Sequence, residues 1–259
     1  MPSQEKIIQI QNVIKRFPVG GTNVTVLNGI NVDIHAGQFL AIVGPSGNGK
    51  STLLNMITGI DRPSSGDVVV SGQSLSRLSE NQLAIWRAEN IGIVFQFFQL
   101  LPSLNLLQNV LLPMEFASKI PRSQRRSRAM DLLEMVGLAD QAGKLPGTIS
   151  GGQQQRAAIA RALSNDPPII VADEPTGNLD ANTADDVFCL FLGLAREGKT
   201  LVMVTHNLEL AEKLPRRIQI VNGLVQSDQS AYNANGAGHE MIQNLQDEFA
   251  CKKNQEPQP

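Results

Sequence analysis

The run Gly44-Pro45-Ser46-Gly47-Asn48-Gly49-Lys50-Ser51 fits the pattern G-x-x-x-x-G-K-[ST] at every fixed position. Before it, Phe39-Leu40-Ala41-Ile42-Val43 is short and continuously apolar, as expected of a strand buried on both faces. After it, the stretch from Lys50 to about Thr58 reads as a helix. A strand, a glycine-rich loop and a helix in that order make a phosphate cradle. Glycines let the backbone curl so that successive N–H groups point inward, and the helix start adds unpaired N–H groups and partial positive charge. Lys50 supplies a compact cation for the terminal phosphates, the Ser51 hydroxyl is a hard oxygen ligand for Mg²⁺, and Thr52 adds a second hydroxyl. A chance glycine-rich turn would not bring both flanking elements with it.

A chain of 259 residues can bury a large core, and its 42% hydrophobic and 18% charged content is that of an ordinary soluble domain. The formal charge of −2 disfavours nucleic acid as a main partner. No stretch approaches the roughly 20 apolar residues needed to cross a bilayer, and the N-terminus MPSQEKIIQI lacks a signal-peptide pattern. The expectation is a soluble chain on the cytosolic side, with any membrane part supplied by another chain. Two distant cysteines, Cys189 and Cys251, argue against a disulfide framework and against a zinc site, and read as one packed thiol and one tail thiol. His35, His206 and His239 share no metal-ligand spacing.

Along the chain, Ile7–Ile14 and Val24–Ile34 read as strands joined at Gly20-Gly21, which predicts an antiparallel start. From about 97 to 166 the character is helical, with Ala129, Leu132, Leu133 and Val136 at helical spacing. Ile169–Ala172 and Leu201–Val204 read as buried strands with a helix, 182–197, between them, and strand–helix–strand implies a parallel sheet. Beyond residue 226 the chain is rich in Gln, Asn and Ser. There a short amphipathic helix near 241–249 is allowed and disorder is expected for the rest. The run Lys119, Arg122, Arg125, Arg126 and Arg128 reads as a solvated basic helix face, with anionic lipid as the alternative.

The strand Ile169–Ala172 delivers Asp173 and Glu174 to its C-terminal edge, where ligands sit in open α/β sheets. Asp173 is the expected Mg²⁺ partner, and Glu174 is placed to polarise a water in line with a γ-phosphate. A solvated acidic pair is the bland reading. Against it, Pro175-Thr176-Gly177 fixes a tight turn immediately afterward.

Lys50, Gln96, Ser150-Gly151-Gly152-Gln153, Asp173-Glu174, Asn178-Leu179-Asp180 and His206, in that order, resemble the full motif set of ABC ATPases from about residue 7 to 226. The resemblance implies a P-loop α/β fold: a mixed sheet core, an N-terminal antiparallel β subdomain, an inserted helical subdomain at roughly 97–166, and a single ATPase domain over 1–226. It implies Gln96 as a Mg²⁺ and water contact that senses the γ-phosphate, and His206 as the switch histidine beside the attacking water. Ser150–Gln153 becomes the signature that opens a helix, a second anion nest. In the family that nest faces the nucleotide held by the opposite subunit of a head-to-tail dimer, and Asp180 lies in the loop lining that interface. Phe17, after Lys15-Arg16, matches the aromatic that stacks on adenine; a core aromatic is its rival.

Ile149 stands where the family commonly has leucine, and Asn48 where serine is frequent. The runs ISGGQQQR (149–156), ADEPTGNLD (172–180) and FQFFQLLP (95–102) are most similar to ATP-binding subunits of macrolide-export, lipoprotein-release and cell-division type transporters. The implied cofactors are ATP and Mg²⁺. The implied partners are a second copy of the chain and a separate transmembrane permease at the inner-membrane face, with 97–112 as its docking surface and a plain core helix as the rival for part of that run. A soluble ABC ATPase acting on DNA or ribosomes usually carries two cassettes or long coiled-coil inserts, and neither is seen. A regulatory cassette that transmits force without moving a substrate uses the same sites and stays open.

Overall fold

The computed structural model describes residues 5–117, 119–232, 236–249 and 251. Two long strands, β1 (Lys6–Val19) and β2 (Thr22–His35), form an antiparallel hairpin. Its turn, Gly20-Gly21, has positive φ at both residues (55° and 82°), which suits the right-handed twist of the paired strands. Next comes β3 (Phe39–Val43), then the phosphate loop and α1 (Lys50–Ile57). Strands β4 (Ser65–Val70) and β5 (Gln73–Ser74) complete a four-stranded antiparallel sheet in the order β2-β1-β4-β5.

Helix α2 (Glu80–Asn90) is closed at its start by a reciprocal Ser79–Gln82 capping box and leads into β6 (Ile91–Val94). The helical insert follows as α3 (Leu106–Ala117), α4 (Arg122–Met135) and α5 (Gly151–Ala162). The chain then returns to the sheet with β7 (Ile169–Asp173), α6 (Ala181–Arg196), β8 (Thr200–Val204), α7 (Leu208–Lys213), β9 (Arg216–Val221) and β10 (Leu224–Ser230). The second sheet runs β10-β9-β3-β8-β7-β6, parallel except for the β9–β10 hairpin.

The apolar run of β3 explains the layering. Phe39, Ala41 and Val43 face one core with α3, α4, α5 and α6, while Leu40 and Ile42 face a second core with α1 and the antiparallel sheet. Alternate residues of one strand therefore serve both halves of the molecule, which is why that strand carries no polar residue.

Three expectations change. Helical character does not begin at 97: α2 precedes β6, and α3 starts only at Leu106. The tail also contains ordered structure. β10 runs to Ser230, and α8 (Ala237–Glu248) places Ile242 and Leu245 in the core with Phe188 and Phe191. The tail reading for residues 252–259 lies outside the described residues. The two cysteines, expected as separate thiols, are joined as Cys189–Cys251 with their Cα atoms 5.4 Å apart. Their separation of 62 residues concealed that the chain after α8 folds back onto α6.

The basic run is only partly a solvated face. Lys119 Nζ donates to the Asn165 carbonyl (3.2 Å) and Arg128 to the carbonyls of Ser164 (2.7 Å) and Leu163 (3.2 Å), satisfying the end of α5. Arg122 and Arg126 stay exposed.

Candidate functional site

The phosphate loop sits at the C-terminal end of β3, and its geometry demands glycine. Gly44 has φ 145°, and a Cβ added there would lie 2.0 Å from the Ile220 carbonyl oxygen of β9. Gly49, the residue before α1, has φ 95°, and a Cβ there would meet Val26 O and Leu27 at 2.8 Å. The loop is thus pressed between β9 and β2. Lys50 is buried and curls back, its Nζ donating to the carbonyls of Gly44 (2.8 Å) and Pro45 (3.0 Å). Pro45, Ser46 and Gly47 are exposed, as is Ser51, and Thr52 is half-buried on the first turn of α1.

Asn48 has a use that the motif pattern did not reveal. Its side-chain oxygen accepts from the Asn222 amide at 2.6 Å and its amide donates to Ser46 O at 3.1 Å, tying the loop to the β9–β10 turn. No local signal gives this, because Asn222 lies on the other side of the sheet sequence.

Asp173 ends β7 and Glu174 follows in a left-handed conformation, φ 48°, its amide donating to Val204 O of β8 at 2.9 Å. Burial pushes the Asp173 carboxyl above its usual range; a hydrogen bond from Ser51 opposes this, the Glu174 charge adds to it, and Lys50 opposes it. Asp173 Oδ1 is buried without a hydrogen-bond partner. An orphaned carboxylate oxygen beside a serine hydroxyl is the donor set that a hard oxygen-seeking cation completes, so Ser51 and Asp173 fit Mg²⁺.

Three predicted side chains converge on Gly177. A Cβ there would lie 3.3 Å from Gln96 Nε2 and 3.4 Å from both Glu174 Oε2 and His206 Cε1. The His206 Nδ1 and Glu174 Oε2 atoms are in contact, and Asn178 Nδ2 donates to Gln96 O at 3.2 Å. Gln96 follows β6 and His206 follows β8, so adjacent ends of three parallel strands assemble the group.

Ser150 caps α5 in a capping box with Gln153: the Gln153 amide donates to Ser150 Oγ (3.3 Å) and the Ser150 amide to Gln153 Oε1 (3.0 Å). Gly152 packs so closely on α6 that a Cβ would lie 2.2 Å from Thr183 Cγ2. Asp180 caps α6, accepting from the Thr183 amide (3.1 Å) and hydroxyl (2.7 Å), and the hydroxyl bond foremost holds its carboxyl below the usual range. Ser150–Gln153 and Asp180 therefore form a second cluster on the outer face. Ser150 and Asp180 are exposed there.

The segment after Gln96 was not foreseen as a brace. Phe98 and Gln99 both have positive φ, and Arg161 of α5 donates to both of their carbonyls, 2.9 Å to Phe98. The Phe98 ring would lie 3.6 Å from a Cβ at Gly151, joining the glutamine loop to the serine–glycine cluster. The expected docking run divides: Phe97 (71%) and Leu101 (44%) are exposed, while Leu106, Leu107 and Val110 are core. Phe17 lies on the hairpin paired with Val24, 37% exposed, with Lys15 Nζ 4.8 Å from its ring centre.

Residues 27–177 match the family model described as ABC transporter. The chain belongs to the ABC transporter family. It is 46% identical over 222 residues to an uncharacterized ABC transporter ATP-binding protein of Thermotoga maritima, covering 86% of this chain and 94% of that protein. It is 44% identical over 225 residues to the macrolide export ATP-binding/permease protein MacB of Burkholderia lata, covering 87% of this chain but 33% of that longer protein. Among solved structures it resembles the dimeric post-hydrolysis state of the ATP-binding cassette MJ0796 bound to ADP and Pi: TM-score 0.81, 40% identity, 87% of this chain and 99% of that one. The fold is that of an ABC ATPase cassette, and the chain is an ATP-binding, ATP-hydrolysing transporter subunit. Among the described residues no helix is long and apolar enough to cross a membrane.

Proposed function

We propose that two copies of this chain clasp ATP head to tail, the phosphate loop of one copy and Ser150–Gln153 of the other closing on the same nucleotide. The observation that carries this reading is that the two nests are built at the starts of different helices, α1 and α5. Lys50 is turned into its own loop, whereas Ser150 caps a different helix on an exposed face beside Asp180. A two-fold interface makes such a pair of half-sites reciprocal. That the similar MJ0796 cassette forms a dimer bound to ADP and Pi supports a dimer here.

In this reading Gly44–Thr52 hold the phosphates, Phe17 stacks on the base, and Ser51, Asp173 and Gln96 hold Mg²⁺. The cation, when bound, neutralises charge on the phosphate oxygens. Glu174 accepts the proton of the attacking water, and His206, in contact with it, fixes its orientation toward the γ-phosphate. The ATPase unit, expected over residues 1–226, extends to the end of β10 at Ser230, and the segment that carries α8 is an addition to it.

The chain works from the cytoplasmic face of the membrane on a separate permease, and nucleic acid is not a partner. A groove of about 220 Å³ lies between β6 and α5 and is lined in part by Phe95, Gln99 and Arg161; its size suits a side chain projecting from a cytoplasmic helix of that permease, and Phe97, between two of the lining residues in sequence, is exposed.

The test is Glu174→Gln. Turnover should fall by about 100-fold or more, as for loss of a general base, while ATP binding persists and an ATP-bound dimer accumulates on size exclusion. Hydrolysis at the wild-type rate would remove Glu174 from this role.

A further inference from the structure

Helix α8 is attached to the ATPase body by the Tyr232 ring against Gly238 and His239 at its start, by few apolar side chains along its length and by one covalent bond beyond its end. Along its length only Gly238, Ile242 and Leu245 are buried. Phe249, just beyond it, stacks edge-on against Phe188 of α6 (centroids 5.1 Å), and Cys251 is bonded to Cys189 of the same helix. Glu248 pairs with Lys213 at the end of α7, and Lys213 also lies over the Phe249 ring. A 12-residue helix with two buried aliphatic side chains is marginal without an anchor.

We propose that Cys189 and Cys251 are a thiol–disulfide exchange site whose state decides whether α8 stays docked on α6 and α7, and thereby tunes ATP hydrolysis. Both cysteines are half-buried, so a small thiol or disulfide can reach them. The two helices that α8 bridges are those whose starts carry the chemistry. α6 is capped by Asp180, and α7 by Asn207, the residue after His206. Clamping the far end of α7 through Lys213 restricts the element that carries the His206 turn.

The exchange partner is a low-molecular-weight disulfide of the glutathione class. The Cys251 thiolate attacks it, forming a mixed disulfide and releasing one thiolate. The Cys189 thiolate then attacks Cys251 Sγ, closing the protein disulfide and releasing the second thiolate. The two thiol protons go to the two released thiolates. The chain loses two electrons and the small disulfide gains them.

The experiment is amide hydrogen exchange over residues 236–249 of the full chain, oxidised with glutathione disulfide or reduced with dithiothreitol, beside Cys251→Ser. Reduction should speed exchange in α8 by about tenfold or more, leaving β3 unchanged. Cys251→Ser should exchange fast in both conditions. Equal α8 exchange in the two redox states of the wild type, or failure of glutathione disulfide to remove two thiols from the reduced chain, overturns the proposal. ATPase rates on the same samples should drop about threefold on reduction in the wild type and not respond to redox in Cys251→Ser, a coupling typical of a remote contact. Unequal exchange with equal ATPase rates overturns the tuning half. The exchange readout does not depend on hydrolysis, so it stands even if the dimer reading fails.

Discussion

Single residues at the phosphate loop show how far a motif specifies its own surroundings. Gly44 was legible as a loop glycine, but its reason is tertiary: the Ile220 carbonyl occupies the space of a Cβ. Gly44→Ala should therefore cost about 1–3 kcal/mol by overpacking, seen as a lower urea midpoint together with weakened ATP binding. Asn48 is the opposite case, a position the motif leaves free. Asn48→Ser shortens the side chain that accepts from the Asn222 amide, so stability should drop by about 1 kcal/mol while nucleotide affinity holds within a few-fold. A calorimetric titration with ATP beside a denaturant melt separates the two effects. The contact of His206 with Glu174 was equally invisible, since 32 residues separate them, although each residue was singled out by its place at a strand end.

At the scale of elements, what the sequence revealed was periodic or continuous. β3, β7 and β8 announced themselves as unbroken apolar runs, and the Gly20-Gly21 turn marked the first hairpin. α2 was hidden because its buried face is only Leu83 and Trp86 in a polar segment. α8 was legible only as an allowed short amphipathic helix near 241–249, four residues short of its start, because Gln, Asn and Ser dominate its neighbourhood and its anchors lie elsewhere in the chain. One of those anchors is Tyr232, whose oxygen accepts from the Phe39 amide at the head of β3 at 2.7 Å, while its ring lies over Gly238. Tyr232→Phe leaves that amide without its acceptor, and should lower stability by about 1–3 kcal/mol. Burial pushes the Tyr232 hydroxyl up to about 12 from an ordinary 10.0. A group raised on folding contributes stability below its unfolded pKa and loses it as pH rises through the folded one. The wild type should therefore lose stability between these two values more steeply than Tyr232→Phe, measured by urea melts across that window.

For the whole molecule, the order of motifs in the sequence was enough to give the fold class and the family, because each motif sits at the end of a strand or the start of a helix. The relation between the two nests was not local, and only a second copy of the chain gives it meaning. One measurement tests that relation directly: the ATPase rate of a mixture of Lys50→Ala chains with Ser150→Arg chains, each inactive alone. A mixed dimer has one intact site, built from Lys50 of one copy and Ser150 of the other, and one site lacking both. Random pairing makes half the dimers mixed, so roughly a quarter of the wild-type rate should return if the two sites of the two-fold dimer act independently. A mixture as inactive as its components would contradict a dimer with two independent sites, each built from Lys50 of one copy and Ser150 of the other.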